Sequence, residues 1–475
     1  MGASNIVSTV DQTRQDFQFS TAVNGLLKNV YIDTLNNTTF HATPLTAMMG
    51  GMGGSLKFEG NKVIKAFKHQ GAGGFGAISE GGNFVKGRNQ KGFQGYERLK
   101  YLNAFFSLTG PAIATVMSGK GSYVDAVADA MDDTLLLSKM NMERMLGGAG
   151  TGEVARVTIP DAITETAMAV GEYVPLTGAS STTAAALSAS SGGAYSKCQW
   201  LQPGIRVNAV IDANFDSTMA TDQFVLTNGS VRAVFEVGNV DYDAETFSLK
   251  NVSVAASTVN LETYDDDNWV LVLENAYGAI EDPEGSTIDQ CLELNGLYNL
   301  IDDGDTYSKI WNLTRSTYPD SLKSTVKAAA SAELDEDLLI GYMLDLVNIK
   351  HSMPNVLVTD PKSRLKYFGN RKEDRRFDTT VMSSDFGYQR IGVQIDNYNL
   401  EVMSVASLVP GTLFMLDTAD FRYAKATEGF KWIDGGTGAL RPYEGSDAQF
   451  ATAVNYCNLV CENPKGQLKV TGLAY

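Results

Sequence analysis

The stretch that most constrains this chain is residues 121–157, GSYVDAVADAMDDTLLLSKMNMERMLGGAGTGEVARV. Val124, Val127, Ala128, Met131, Leu135, Met142, Met145 and Leu146 recur at steps of three and four, which draws one apolar stripe along a single helix. Ser122 and Asp125 fit a capping box at its start. Asp125, Asp129, Asp132 and Asp133 lie in its first half, toward the positive end of the helix dipole. Gly147 and Gly148 are expected to end it in a left-handed turn. Residues 123–146 would span roughly 36 Å, far beyond an average globular helix. A rod of that length predicts an extended subunit organised along a strut.

Bulk properties narrow the function classes. A chain of 475 residues and 51.2 kDa is too long for one ordinary core. Its formal charge of -17 argues against a surface that holds nucleic acid by counterion release. Four cysteines make no disulfide framework, and Cys457 and Cys461 have no histidine near them in sequence to complete a zinc site. The first residues lack the basic start and apolar run of a signal peptide, and no apolar run approaches membrane-spanning length.

The charge is unevenly placed. Residues 1–50 are polar and aperiodic, the composition of an arm that needs an outside surface to lie on. Between 50 and 95 there are 14 glycines, around a strand-like run KVIKAF at 62–67. Residues 57–100 nevertheless carry a net charge of +6, a basic flap on an acidic chain. Gly71, Gly73 and Gly76 match the dinucleotide fingerprint by spacing, but AISEGGNF after them starts no helix to receive a pyrophosphate.

Beyond 158 the pattern turns to strands. The run of small residues at 179–194 reads as a loop; IRVNAVID at 205–212, the alternation Val231, Ala233, Phe235, Val237, then TFSLKNV and NWVLVLE read as strands with Asn228–Gly229 as a hairpin turn. Aspartate-rich DYDAE and YDDDN lack the remaining ligands of a calcium loop and read as solvated turns. A small β-barrel or sandwich inserted in the chain follows. Residues 333–350 predict a second helix, NVLVTDP at 355–361 a buried strand running into a proline-initiated helix, and the remainder alternates strand and turn. The fold class is α+β.

Catalytic chemistry has little to stand on. His41, His69 and His351 are the only histidines, no nucleophile or metal motif occurs, and the carboxylates sit in caps and turns. The reading is of a non-enzyme that needs no cofactor.

In this order, ISEGGNF at 78–84, the helix end MLGGAGTGEV, LNGLYNLIDD at 294–303, PNVLVTDPKSRLKYFG at 354–369, TLFMLDTADF at 412–421 and the final LVCENPKGQLKVTGL resemble the major capsid protein of tailed bacteriophages, the Hong Kong 97-type fold. The resemblance implies an N-terminal arm at 1–56, an E-loop at 57–105 and a peripheral domain with its spine helix at 106–159. After these come an inserted β domain at 160–285, a connection with the second helix at 286–349, an axial domain at 350–425, and C-terminal strands returning to the peripheral domain at 426–475. It implies hexamers and pentamers closing into an icosahedral head around packaged double-stranded DNA, with the protein located in the virion after assembly in the host cytoplasm. Partners would be further copies of itself, a portal, a decoration protein, and a separate scaffolding protein, unless the chain is an already trimmed form, since arm and flap fill the 122 residues ahead of the helix. The E-loop of such proteins lies over a neighbour, so Lys57, Lys62, Lys65, Lys68, Arg88 and Lys91 are expected to meet the acids Asp125, Asp129, Asp132 and Asp133 of an adjacent subunit. Some relatives cross-link E-loop lysine to asparagine; Lys57, Lys62, Lys65 and Lys68 are the lysines available. An encapsulin-like cargo compartment is the alternative, and a nucleotide-dependent enzyme behind GAGGFG the more distant one.

Overall fold

The structure is a computed structural model that describes residues 43–110, 122–157, 167–172, 187–188, 198–211, 224–253, 259–260, 269–347, 352–370, 391–433 and 440–474, with short breaks inside several of these spans. Residues 1–42 of the polar arm, most of the small-residue run, the Asn228–Gly229 turn and the YDDDN turn lie outside the described residues, as do the side chains of Lys57, Ser122, Asp125 and Asp129; the end of the expected arm is instead folded, as the helix Pro44–Gly51 with Leu45 in the core and the strand Ser55–Lys57.

The long helix runs Ser122–Gly147, 26 residues and about 39 Å. Its two halves live in different surroundings. Asp132, Asp133, Leu137 and Lys139 are exposed, whereas Met140 and every residue from Met142 to Ala149 are buried. A single stripe was expected; from Met142 on, the helix is instead enclosed on all sides, because the helix Pro44–Gly51, the segment 294–301 and a long strand ribbon pack around it. Enclosure forces its charges to be satisfied. Arg144 donates to the Glu153 carbonyl at 2.8 Å and pairs with Glu293. Glu143 accepts from the Leu45 and Thr46 amides at 2.8 Å each, capping the helix Pro44–Gly51 from outside it.

The helix end differs from the expected turn. Gly147 is helical, and a Cβ there would sit 2.7 Å from Ser407 Oγ, so this glycine serves close packing. The left-handed residues are Gly150 and Gly152, at φ 67° and 78°.

Two six-stranded sheets flank the buried half of the helix in sequence and share its core. In the first, the 14-residue strand Ala448–Cys461 pairs antiparallel with Lys100–Thr109 along ten residues and with Phe421–Lys425, which in turn carries Ser55–Lys57. The second runs Thr325–Ala328, Leu468–Thr471, Leu413–Leu416, Val356–Thr359, Tyr398–Ser404, Ile391–Ile395. The strand Leu468–Thr471, near the end of the chain, thus lies inside this second sheet, between Thr325–Ala328 and Leu413–Leu416. Val356–Thr359 is central and buried on both faces. Asp360 then caps the helix Pro361–Asn370, accepting from the Lys362 and Ser363 amides at 3.0 Å. The other helix covering this sheet runs Glu336–Asp345; it starts later than expected because Asp335 is extended and caps it.

A third six-stranded sheet, Glu153–Val157, Trp269–Leu273, Arg206–Ile211, Val234–Asp241, Thr246–Asn251, Leu187–Ser188, shares a core around Phe235 and Trp269 with Val225 and Val259 at a small four-stranded sheet. It takes its first strand directly from the end of the long helix.

Candidate assembly surface

Lys62–Gln70 and Lys91–Arg98 form an antiparallel hairpin whose root is clamped and whose far end is bare. At the root the alternation of a strand puts Val63, Lys65 and Phe67 on the inward face. Phe67 stacks on Phe93 at 5.2 Å and meets Trp311 edge-on at 5.5 Å; Phe93 stacks on Tyr318 at 3.9 Å. Trp311 belongs to a tight turn between Lys309–Ile310 and Leu313–Thr314, and both turn residues, Trp311 and Asn312, are left-handed at φ 53° and 55°. That turn grips one strand of the hairpin. The Tyr96 amide donates to the Trp311 carbonyl at 3.1 Å, the Trp311 amide donates to Glu97 at 2.9 Å, and its indole donates to the Cys461 carbonyl at 2.7 Å. Gly95 lies opposite: a Cβ there would stand 2.7 Å from the Trp311 Cβ.

Beyond the strands, residues 71–80 and 83–90 are exposed throughout. Phe75 is 103% and Phe84 88% exposed, with Ile78 and Val85 also open to solvent. Four apolar side chains on one projecting tip constitute a surface that water does not stabilise. The glycine fingerprint sits here with no helix after it. Of its glycines only Gly76 is crowded, where a Cβ would lie 2.7 Å from the Val85 side chain; Gly73 is at φ 119°, and the intervening Gly74 faces the Lys86 carbonyl at 2.7 Å.

The candidate charged residues fall along this hairpin and along the long helix. Lys62 lies over the Tyr96 ring at 4.7 Å, and Lys65 pairs with Glu462 of its own chain at 2.7 Å, so that cation is already engaged within the subunit. Lys68, Arg88 and Lys91 are exposed. Lys57 lies on the short strand beside Phe421–Lys425. Asp132 and Asp133 are on the exposed half of the long helix; Asp125 and Asp129 are on its outermost turns.

Sequence reasoning missed the residues that hold together the segment 299–322, which carries the Trp311 turn. Arg315 is fully buried and donates to the carbonyls of Asn299, Leu300, Asp302, Tyr307 and Leu322, with burial lowering its pKa to about 10. Beside it Lys469 pairs with Asp302 at 2.7 Å, both buried. For Asp302 burial pushes the pKa up, but Lys469 and three hydrogen bonds outweigh it and the net shift is downward. A lone arginine in WNLTRSTYP carries no sequence signal of this role.

All four cysteines are free and buried, and burial pushes Cys457 to about 11 and Cys291 to about 12, away from the thiolate form. Among the described residues no group of three or more His, Cys, Asp or Glu is placed to hold a metal.

Compared with solved structures, the chain aligns over 95% of its length with 98% of a chain from the cyanophage A-1(L) capsid asymmetric unit, at 11% identity and TM-score 0.47. A chain from the capsid of a native GTA particle aligns over 96% of this chain and 98% of its own, at 9% identity and TM-score 0.41. The chain is similar to capsid chains. The holo-SrpI encapsulin complex from Synechococcus elongatus matches only 37% of this chain and 59% of its own, at 9% identity and TM-score 0.23. No protein-family model and no curated protein matches the chain.

Proposed function

We propose that this protein is a structural shell subunit, the major capsid protein of a tailed phage with the Hong Kong 97-type fold, assembling into hexamers and pentamers of an icosahedral head. The observation that carries the reading is the hairpin, rigid at its root and bare and apolar at its tip. A monomer gains nothing from holding Phe75 and Phe84 in water, and a tip held at one angle is suited to meet the same surface on each neighbouring copy. In this reading the hairpin is the E-loop, Ser122–Gly147 the spine helix, the sheet around Val356–Thr359 the axial domain, and the sheet around Trp269 the inserted β domain.

Charge adds a second component. Lys68, Arg88 and Lys91, with Lys57 and Lys62, would face Asp125, Asp129, Asp132 and Asp133 of the adjacent subunit, each exposed pair contributing little but recurring at every interface. Lys65 is reassigned from that contact to the root, where Glu462 holds it. Scaffolding, portal and decoration proteins and the enclosed DNA belong to the same proposal.

Phe75→Ser with Phe84→Ser tests it. Thermal melting of the isolated subunit should be unchanged while sedimentation shows loss of large assemblies; normal shells from the double variant would contradict the role given to the tip.

A further inference from the structure

One helical glycine serves nothing inside its own subunit. Gly341 lies on the exposed face of the helix Glu336–Asp345, where glycine costs helix stability relative to alanine, yet a Cβ there would meet nothing within 4 Å. Neither close packing nor a left-handed backbone calls for it. By helical spacing Asp337, Leu344 and Asp345 surround it on the same face, while Leu339 and Met343 are buried in the core. Leu344 is 47% exposed. Together they make an open notch with one apolar wall and a carboxylate at each end. The helix Pro361–Asn370 carries the opposite relief. Leu365 is 73% exposed and shares its face with Lys362 and Lys366, while Ser363 and Tyr367 are buried. This is a leucine knob between two cations.

Within one chain, knob and notch do not meet, since no atom, Leu365 included, approaches the Gly341 Cβ position. They belong to different parts of one sheet. Asp345 pairs with Lys327 of the edge strand Thr325–Ala328 at 2.9 Å, whereas Arg364 donates to Ser404 Oγ at 2.8 Å, at the end of Tyr398–Ser404 four strands further along. Charge is divided in the same way. The first helix carries Glu336, Asp337 and Asp345 and no base; the second carries Lys362, Arg364 and Lys366 and no acid.

We infer that the Gly341 notch of one copy receives the Leu365 knob of the next, a contact that rests on the shell-subunit reading and gives it a named interface. Different faces of the two copies meet, so the contact is head-to-tail, and repeated by rotation it closes a ring. Leu365 seated against Leu344 takes two exposed apolar side chains out of water, and the bare backbone at Gly341 lets the helices approach closely. Lys362 and Lys366 then stand opposite Asp337 and Asp345. In the single subunit Lys366 pairs with Glu333 and Asp345 with Lys327, each at 2.9 Å between side chains that water screens. Opposite charge brought by the next copy extends those pairs into a row and sets the orientation of the contact.

The test is sedimentation velocity of the full chain, produced with the products of its neighbouring genes, alongside thermal melting of the isolated subunit. Gly341→Leu fills the notch with a better helix former, so melting should not fall while the fraction sedimenting as capsomers or larger drops about tenfold. Leu365→Ser, at an exposed position that leaves the core untouched, should do the same. Lys362→Glu with Lys366→Glu makes both faces acidic, and Asp337→Lys with Asp345→Lys makes both basic. Each double variant should fail to assemble alone, and the two mixed should form even-numbered rings, because each then offers the other an opposite face. Natural levels of assembly in Gly341→Leu and Leu365→Ser, or no assembly in the mixture while both double variants melt like the natural chain, would overturn the contact and leave the shell-subunit reading standing. A natural chain that forms no capsomers under these conditions would overturn both.

Discussion

Three residues show how sterics and polar satisfaction decide this fold. Gly95→Ala would press a methyl group against the Trp311 Cβ and its carbonyl, breaking the Tyr96 to Trp311 hydrogen bond. We expect a loss of about 1–3 kcal/mol in urea unfolding, the usual range for overpacking. Arg315→Met keeps the volume but leaves five backbone carbonyls without their donor; a loss of about 3–5 kcal/mol is expected, as for other broken buried charge networks. Lys469→Met should be comparable, because Asp302 then keeps a buried charge opposed by no adjacent lysine. An unchanged midpoint in any of the three would mean that the site relaxes onto water.

At the scale of elements, the long helix was legible because its apolar spacing, acidic start and terminal glycines all agree. The strand runs around Val207, Phe235, Leu249 and Leu271 were legible for the same reason, since alternation or a continuous apolar run survives wherever tertiary packing matches the local pattern. What was not legible came from contacts distant in sequence. Nothing local says that Met142–Ala149 is enclosed on every side, or that Glu143 caps a helix 98 residues earlier in the chain. The glycines of 71–76 were visible, but the close approach of the two loop legs at Gly74 and Gly76 depends on which residues oppose them. Glu143→Ala should undock the helix Pro44–Gly51 at a cost of about 1–3 kcal/mol, the penalty for orphaned buried donors. Limited proteolysis would then cut near residue 50 well before global unfolding; cleavage elsewhere first would contradict that assignment.

For the whole molecule, the central claim is that a subunit with a stiff rod, a clamped hairpin and a bare apolar tip exists to be covered by its own copies. The charge pattern along the flap and the outer half of the long helix was readable from the sequence, whereas the exposure of Phe75 and Phe84 required the three-dimensional arrangement. The most direct measurement is electron microscopy of the purified protein, produced alone and together with the products of its neighbouring genes. Closed shells of uniform diameter with clustered hexamers and pentamers are the predicted result; monomers alone under both conditions would contradict it.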